Sequence, residues 1–437
     1  MNESVVNHNM YCDKYKISVN GTLIITALAT FKNVYNYYIL LIPEMKFVFV
    51  VLYNIITLYF LIIYIPLFLF VLRNIRKKEF KIYIPAIVIP LSVILNIISV
   101  MFKEGSISII SREYFLQEAS ETNDCIGFYF SQVNTWFTNM AILLSLSLKI
   151  KNKKEIINCI IVCMTVILIP VILLIAIFPN YLGLRQSVFN DVSFGGGIWN
   201  IGTIGFGSIT WIAIALLNDM TKQQSVFSII SIFVFVFVGI SGLSRTILLM
   251  GIFSLGCYFL ISKKDIKLVL KMLIVLIFVL LYFLIESDIV AELFQRLGDR
   301  TSGTNNVRFL LWPAYLSHYK EFWLLGAPLG SVYRYYHDVD LLGRYFLPHS
   351  TPINFFVRYG IFALVSYIQL IKYAFLSINT KITNEYYRNC IISGGIAYIS
   401  LAFINQTGFA EPIFYIMFGL LIAFARIVNS NSYHVEI

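Results

Sequence analysis

Residues 47–72 read FVFVVLYNIITLYFLIIYIPLFLFVL and run directly into 73–81, RNIRKKEFK. The first stretch holds no charged side chain and is long enough to cross a hydrocarbon layer of roughly 30 Å, which takes about 20 helical residues. In lipid a backbone must satisfy its own N–H and C=O groups, so such a run is a helix. The second stretch carries Arg73, Arg76, Lys77, Lys78 and Lys81, a basic cluster of the kind that marks the cytoplasmic end of a span.

Outward from this stretch the same pattern repeats along all 437 residues. Hydrophobic residues make up 59% and charged residues 13%, with a mean hydropathy of +0.79, and a soluble domain of that composition would precipitate. The expected fold class is an all-α integral membrane protein with about 12 transmembrane helices. They are placed at 20–41, 47–72, 82–102, 126–148, 155–178, 198–217, 225–242, 246–262, 268–286, 351–375, 388–405 and 411–428. Lys32 and Asn33 interrupt the first of them. The opening residues are polar and show no cleavable signal-peptide pattern. One polytopic domain, 1–437, is expected, with a large extracytoplasmic loop at 287–350 that contains short helices.

Two further basic clusters, Lys149 to Lys154 and Lys263 to Lys267, fall on the same side as the first. That side is cytoplasmic, which puts both termini inside. The loops at 103–125, 179–197, 243–245, 287–350 and 406–410 are then outside. The formal net charge of +10 is therefore ordinary positive-inside bias, and no nucleic-acid partner is implied. Lysines gather inside, whereas most arginines lie outside, five of them (Arg296, Arg300, Arg308, Arg334, Arg344) in the large loop. A guanidinium fork suits phosphate and carboxylate oxygens better than a lysine point charge does. These arginines either pair with outer carboxylates such as Glu292, Asp299, Asp338 and Asp340, or they meet an anionic ligand.

Cys125 alone is clearly outside, so no disulfide is expected, and Cys159 and Cys163, four apart on one helix, read as small core packers. The chain has no phosphate-binding P-loop, dinucleotide fingerprint or zinc-protease motif. Four places could carry chemistry. Arg185 leads into Gly195-Gly196-Gly197 at the start of the span at 198–217, where free N–H groups suit an anion, unless the stretch is only a re-entry turn. Arg245 stands at the membrane boundary in a tight turn, Ser241-Gly242-Leu243-Ser244-Arg245-Thr246, a depth at which a charge calls for a polar cavity or a partner. Asn305 and Asn306 are candidate caps for a short helix bearing Arg308 and Trp312, which could stack as cation and ring or bury the helix on the membrane surface. His349, in Pro348-His349-Ser350-Thr351-Pro352 ahead of Arg358 and Gly360, could serve as a general base or as a hydrogen-bonded structural residue.

The motifs Ser244-Arg245, Arg308-xxx-Trp312, Gly326-xxx-Gly330 and His349 through Gly360 resemble those of the O-antigen polymerase and O-antigen ligase superfamily. These are bacterial inner-membrane glycosyltransferases that act on lipid-linked polysaccharide intermediates, and the resemblance covers roughly 180–370. It implies a GT-C-like architecture and an undecaprenyl-diphosphate-linked oligosaccharide as donor. It also implies His349, Arg245 and Arg308 as catalytic residues. Arg185, Arg344, Arg358, Trp312 and Gly196 would then contact diphosphate or glycan. Arg185 to Gly196 fits the arginine-to-glycine spacing of polymerase loops, but Arg308 lacks it, since position 319 is Tyr319. The chain has His349-Ser350 where some relatives have His-Asn. No metal or cofactor is implied, because preorganised arginines can stabilise the leaving diphosphate, and activity should survive EDTA. Membrane lipid, a chain-length regulator and a flippase are the implied partners. The expected function is polymerisation of repeat units into O-antigen or capsule on the outer face of the inner membrane. The alternative within the family is ligation to lipid A core. A lipid-linked oligosaccharide flippase is the alternative from another class, but it would place charge within the spans rather than in an outer loop.

Overall fold

The computed structural model describes residues 19–104, 125–177, 198–241, 245–262, 307–327, 350–376, 384–404 and 410–432, together with 271, 274 and 382. The described residues form helices, which we number in chain order. They are α1 (Val19–Leu41), α2 (Lys46–Asn74), α3 (Ile84–Glu104), α4 (Cys125–Lys149), α5 (Lys153–Ile177), α6 (Ile198–Gly207) and α7 (Thr210–Leu216). They continue as α8 (Lys222–Ser241), α9 (Arg245–Ile261), α10 (Val307–Ser317), α11 (Tyr319–Phe322), α12 (Thr351–Ile371), α13 (Glu385–Ile404) and α14 (Pro412–Ser432). The expected spans therefore coincide with helices throughout, except the one at 268–286, which lies almost wholly outside the described residues.

Among the described residues, five stretches are long and apolar enough to cross a membrane: Pro43–Asn74, Phe80–Ser99, Lys153–Ile177, Lys222–Gly239 and Thr351–Leu376. Their surfaces carry exposed apolar side chains, such as Phe47 at 78% exposure and Ile62 at 63%, as a lipid-facing helix would. Prolines stand inside α2 (Pro66), α3 (Pro90) and α5 (Pro170), as is tolerated in membrane helices, where neighbours satisfy the freed carbonyls. The interior pairs α1 with α5, α4 with α14, α6 with α8, α9 with α13 and α3 with α12. Trp136 and Trp211 are among its largest buried side chains.

Two local features explain irregularities in the sequence. Lys32 does not interrupt α1. It is buried, donates from Nζ to Thr57 Oγ1 on α2 at 2.5 Å, and stands 4.3 Å from the centre of the Tyr53 ring. The span expected at 198–217 is instead two helices broken around Ser208 and Ile209. Ser208 Oγ donates to the Ile204 carbonyl at 2.6 Å and Thr210 Oγ1 to the Gly205 carbonyl at 3.0 Å, which occupies acceptors near the break. Close approach decides the glycine at 202, because a Cβ there would fall on the Phe235 carbonyl of α8. Cys159 and Cys163 are buried as expected, and Cys163 Sγ lies 3.1 Å from Thr30 Oγ1. At the other end of α14, Arg426 donates to the carbonyls of Leu148 and Ile150, and so ties the end of α4 to that helix.

Candidate functional site

The helix that follows His349 is broken in a specific way. Gly360 in α12 has φ 78° and ψ −171°, a backbone region open essentially to glycine alone. A continuous helix would pair the Ile361 N–H with the Val357 carbonyl, and the break parts them. Both are taken up by the segment after α11: Ile361 donates to the Trp323 carbonyl at 2.8 Å, and the Val357 carbonyl accepts from Ala327 N–H at 2.7 Å. Residues 323–327 thus lie against the break and replace the missing helical bond.

This junction is tight from both sides. Gly326 has φ 84°, and a Cβ there would fall on the Arg358 carbonyl, just as a Cβ on Gly360 would fall on the Leu324 carbonyl. Asn96 of α3 closes the third side, since its Nδ2 donates to the carbonyls of Leu325 and Ala327, both at 2.9 Å. Phe322, buried at the end of α11, meets the Phe356 ring at 5.3 Å between centroids. The fourth side is aromatic. Tyr359 is fully buried, accepts from Trp136 Nε1 at 2.8 Å, and donates to Gln132 Oε1 at 2.9 Å. Trp136 then meets Tyr415 of α14 edge-on at 6.0 Å.

The junction fixes the end of the described segment 307–327. Arg308 is the second residue of α10, and Trp312, one turn on, is half-buried. Arg358 is half-buried on α12, beside the break. The backbone of Arg245 opens α9, which puts that arginine at a helix start as the sequence implied. The side chains of Arg245 and Arg308 lie outside the described residues, as do Arg185, Gly196, Arg344 and His349 entirely. Stacking of Arg308 on Trp312 falls outside with them. His318 is occupied locally, with Nδ1 3.0 Å from Glu321 Oε1.

Immediately after His349, α12 begins at an extended Ser350 with Pro352 in its first turn and no side-chain cap. Ser350 and Asn354 are each only 1% exposed, and among the described residues Ser350 Oγ and Asn354 Oδ1 have no hydrogen-bond partner. A buried helix start with two unsatisfied polar side-chain atoms suits a polar group. The sequence reading missed Asn96, Tyr359 and the pairing of Gly326 with Gly360. The signal available for Asn96 was an amide set inside an apolar span, which is costly unless it has work to do.

Residues 227–368 match the O-Antigen ligase family model, which supports the O-antigen ligase/polymerase superfamily that the motifs resemble. The match runs from α8 to within α12, so it contains Arg245, Arg308, Trp312, Gly326, Arg344, His349, Arg358 and Gly360 and leaves out Arg185 and Gly196. No curated protein matches the chain.

Proposed function

We propose that this protein, whose residues 227–368 carry the superfamily match, is a membrane glycosyltransferase that polymerises lipid-linked glycan repeat units. The donor is an undecaprenyl-diphosphate-linked oligosaccharide, and the product is O-antigen or capsular polysaccharide on the outer face of the inner membrane. The observation that carries the reading is the broken α12, held by residues 323–327, because it joins the helix following His349 to the segment bearing Arg308 and Trp312. Interrupted membrane helices are where polar substrate groups are held at membrane depth.

In the reaction an acceptor sugar hydroxyl attacks the anomeric carbon of the donor. His349 takes the hydroxyl proton. A new carbon–oxygen bond forms as the bond from the anomeric carbon to the diphosphate oxygen breaks, and undecaprenyl diphosphate leaves with the bonding pair. Arg245 and Arg308 stabilise the charge that develops on the leaving group, with Arg185, Arg344 and Arg358 as further contacts to diphosphate or glycan, and preorganised cations stabilise such a charge without reorganising. Trp312 offers a ring face to a sugar, and Gly196 is a further contact to diphosphate or glycan. Both termini are cytoplasmic in this arrangement, and about twelve spans enclose the outer-face site.

One observation favours a second reading: the matching family model is described as O-Antigen ligase. A ligase would use the same donor and transfer finished glycan to lipid A core. Deleting the gene and separating surface glycan and lipid-linked intermediates on a gel tells the two apart. A polymerase mutant carries single repeat units at the surface. Long glycan retained on undecaprenyl diphosphate and missing from its final carrier would overturn the polymerase reading in favour of the ligase.

A further inference from the structure

A cavity of about 260 Å³ opens between α1, α5, α6 and the start of α14. Its polar lining is Asn33, Asn36 and Tyr37 of α1, Asn200 of α6 and Glu411, which directly precedes α14. The α1 residues recur at helical spacing, so they share one face. Asn33 Oδ1, Asn36 Oδ1 and Asn200 Oδ1 are buried and have no hydrogen-bond partner among the described residues. Three unsatisfied amide oxygens around one cavity are destabilising unless a donor pairs with them. The remaining walls are aliphatic, Ile167 and Ile204 among them. All of these residues lie outside 227–368, the stretch that carries the family match.

The chemistry of the lining narrows the occupant. Among the described residues no lysine or arginine lines the cavity, and Glu411 does, so none of them offers a diphosphate a cationic partner. An acyl chain would strand the amides. A sugar ring fits both demands: its hydroxyls donate and accept as amides do, and its C–H faces lie on aliphatic walls. The volume equals roughly nine waters at roughly 30 Å³ each, room for about one ring. A chain of packed rings runs from the helix that follows Glu411 to the α12 break. Tyr415, one turn after Glu411, meets Trp136 edge-on, and Trp136 is bonded to Tyr359 beside the α12 break.

We infer that this cavity is a glycan subsite, in which Asn33, Asn36, Asn200 and Glu411 hold one sugar unit of the substrate by its hydroxyls. The inference rests on the glycan-transfer reading above and adds a place where the glycan, rather than the diphosphate, is gripped.

The test uses the purified full-length protein and two probes: end-labelled oligosaccharide released from the host's own surface glycan by mild acid, and undecaprenyl diphosphate alone. Asn36→Leu and Asn200→Leu should each weaken oligosaccharide binding roughly five- to tenfold, the loss of about one hydrogen bond. Undecaprenyl diphosphate binding should stay unchanged. Melting temperature should hold or rise, because an unsatisfied buried amide has been removed. Glu411→Gln, which keeps the side-chain shape, should also weaken the oligosaccharide alone. Full oligosaccharide affinity in all three variants would overturn the subsite, as would a fall in melting temperature accompanied by loss of both ligands. A wild-type protein that binds undecaprenyl diphosphate but no oligosaccharide would also overturn it, with the donor reading intact. Binding of neither probe would bring down the glycan-transfer reading itself.

Discussion

Replacing Gly360 by alanine tests the junction on which the site is built. At φ 78° and ψ −171° a side chain costs about 1–3 kcal/mol in backbone strain alone. The added Cβ would also fall on the Leu324 carbonyl, so the 323–327 segment must move away. That movement breaks the bonds from Ile361 to Trp323 and from Ala327 to Val357, each worth about 0.5–1.5 kcal/mol net. The sum is about 2–6 kcal/mol, and its midpoint shifts the ratio of joined to parted states by roughly a thousandfold. The assay pairs a glycan gel from the complemented deletion strain with limited proteolysis of the purified protein around 323–327. Gly360→Ala should abolish long glycan and expose that segment to protease. Gly256→Ala is the internal control, because a Cβ there meets nothing within 4 Å, and in mid-helix it should leave stability equal or higher. Wild-type glycan and wild-type protease resistance in Gly360→Ala would refute the reasoning.

Asn96→Leu removes two amide bonds to the Leu325 and Ala327 carbonyls. It should weaken the same junction by about 1–3 kcal/mol, seen as temperature-sensitive loss of long glycan, and unchanged glycan at every growth temperature would count against the role given to this side chain. Lys32 is a buried cation bonded to Thr57, and exchanging such a charge for a hydrophobe is often neutral or stabilising. Lys32→Met should therefore melt at or above the wild-type temperature, while Thr57→Val, which takes away the acceptor, should melt lower. The reverse order in a fluorescence melt would show that the lysine stabilises through its charge.

Much of the fold was legible in the sequence because apolar runs of span length leave a chain few choices in lipid. The helices at Lys46–Asn74 and Lys153–Ile177 are of that kind. Lys32 read as an interruption, because nothing local shows that Thr57 and Tyr53 of the next helix receive it. The break in α12 was not legible for a similar reason. A glycine inside an apolar run reads as a tolerated residue, and its left-handed backbone is set by residues 323–327, far off in sequence. The arginines stood out by residue type alone, since a guanidinium fork suits phosphate or carboxylate oxygens. Asn33 read only as an interruption, and Asn36 and Asn200 passed unnoticed, because single amides scattered over two spans show no common purpose until packing gathers them around one cavity with Glu411.

Transfer of glycan from a lipid diphosphate is open to direct reconstitution. The purified full-length protein is placed in vesicles with undecaprenyl-diphosphate-linked repeat units isolated from the deletion strain. The account predicts a ladder of longer lipid-linked glycans with one undecaprenyl diphosphate released per linkage, and loss of that ladder with Arg308→Ala. Repeat units that cross the bilayer unchanged, with no linkage formed and no undecaprenyl diphosphate released, would contradict it and identify a transporter.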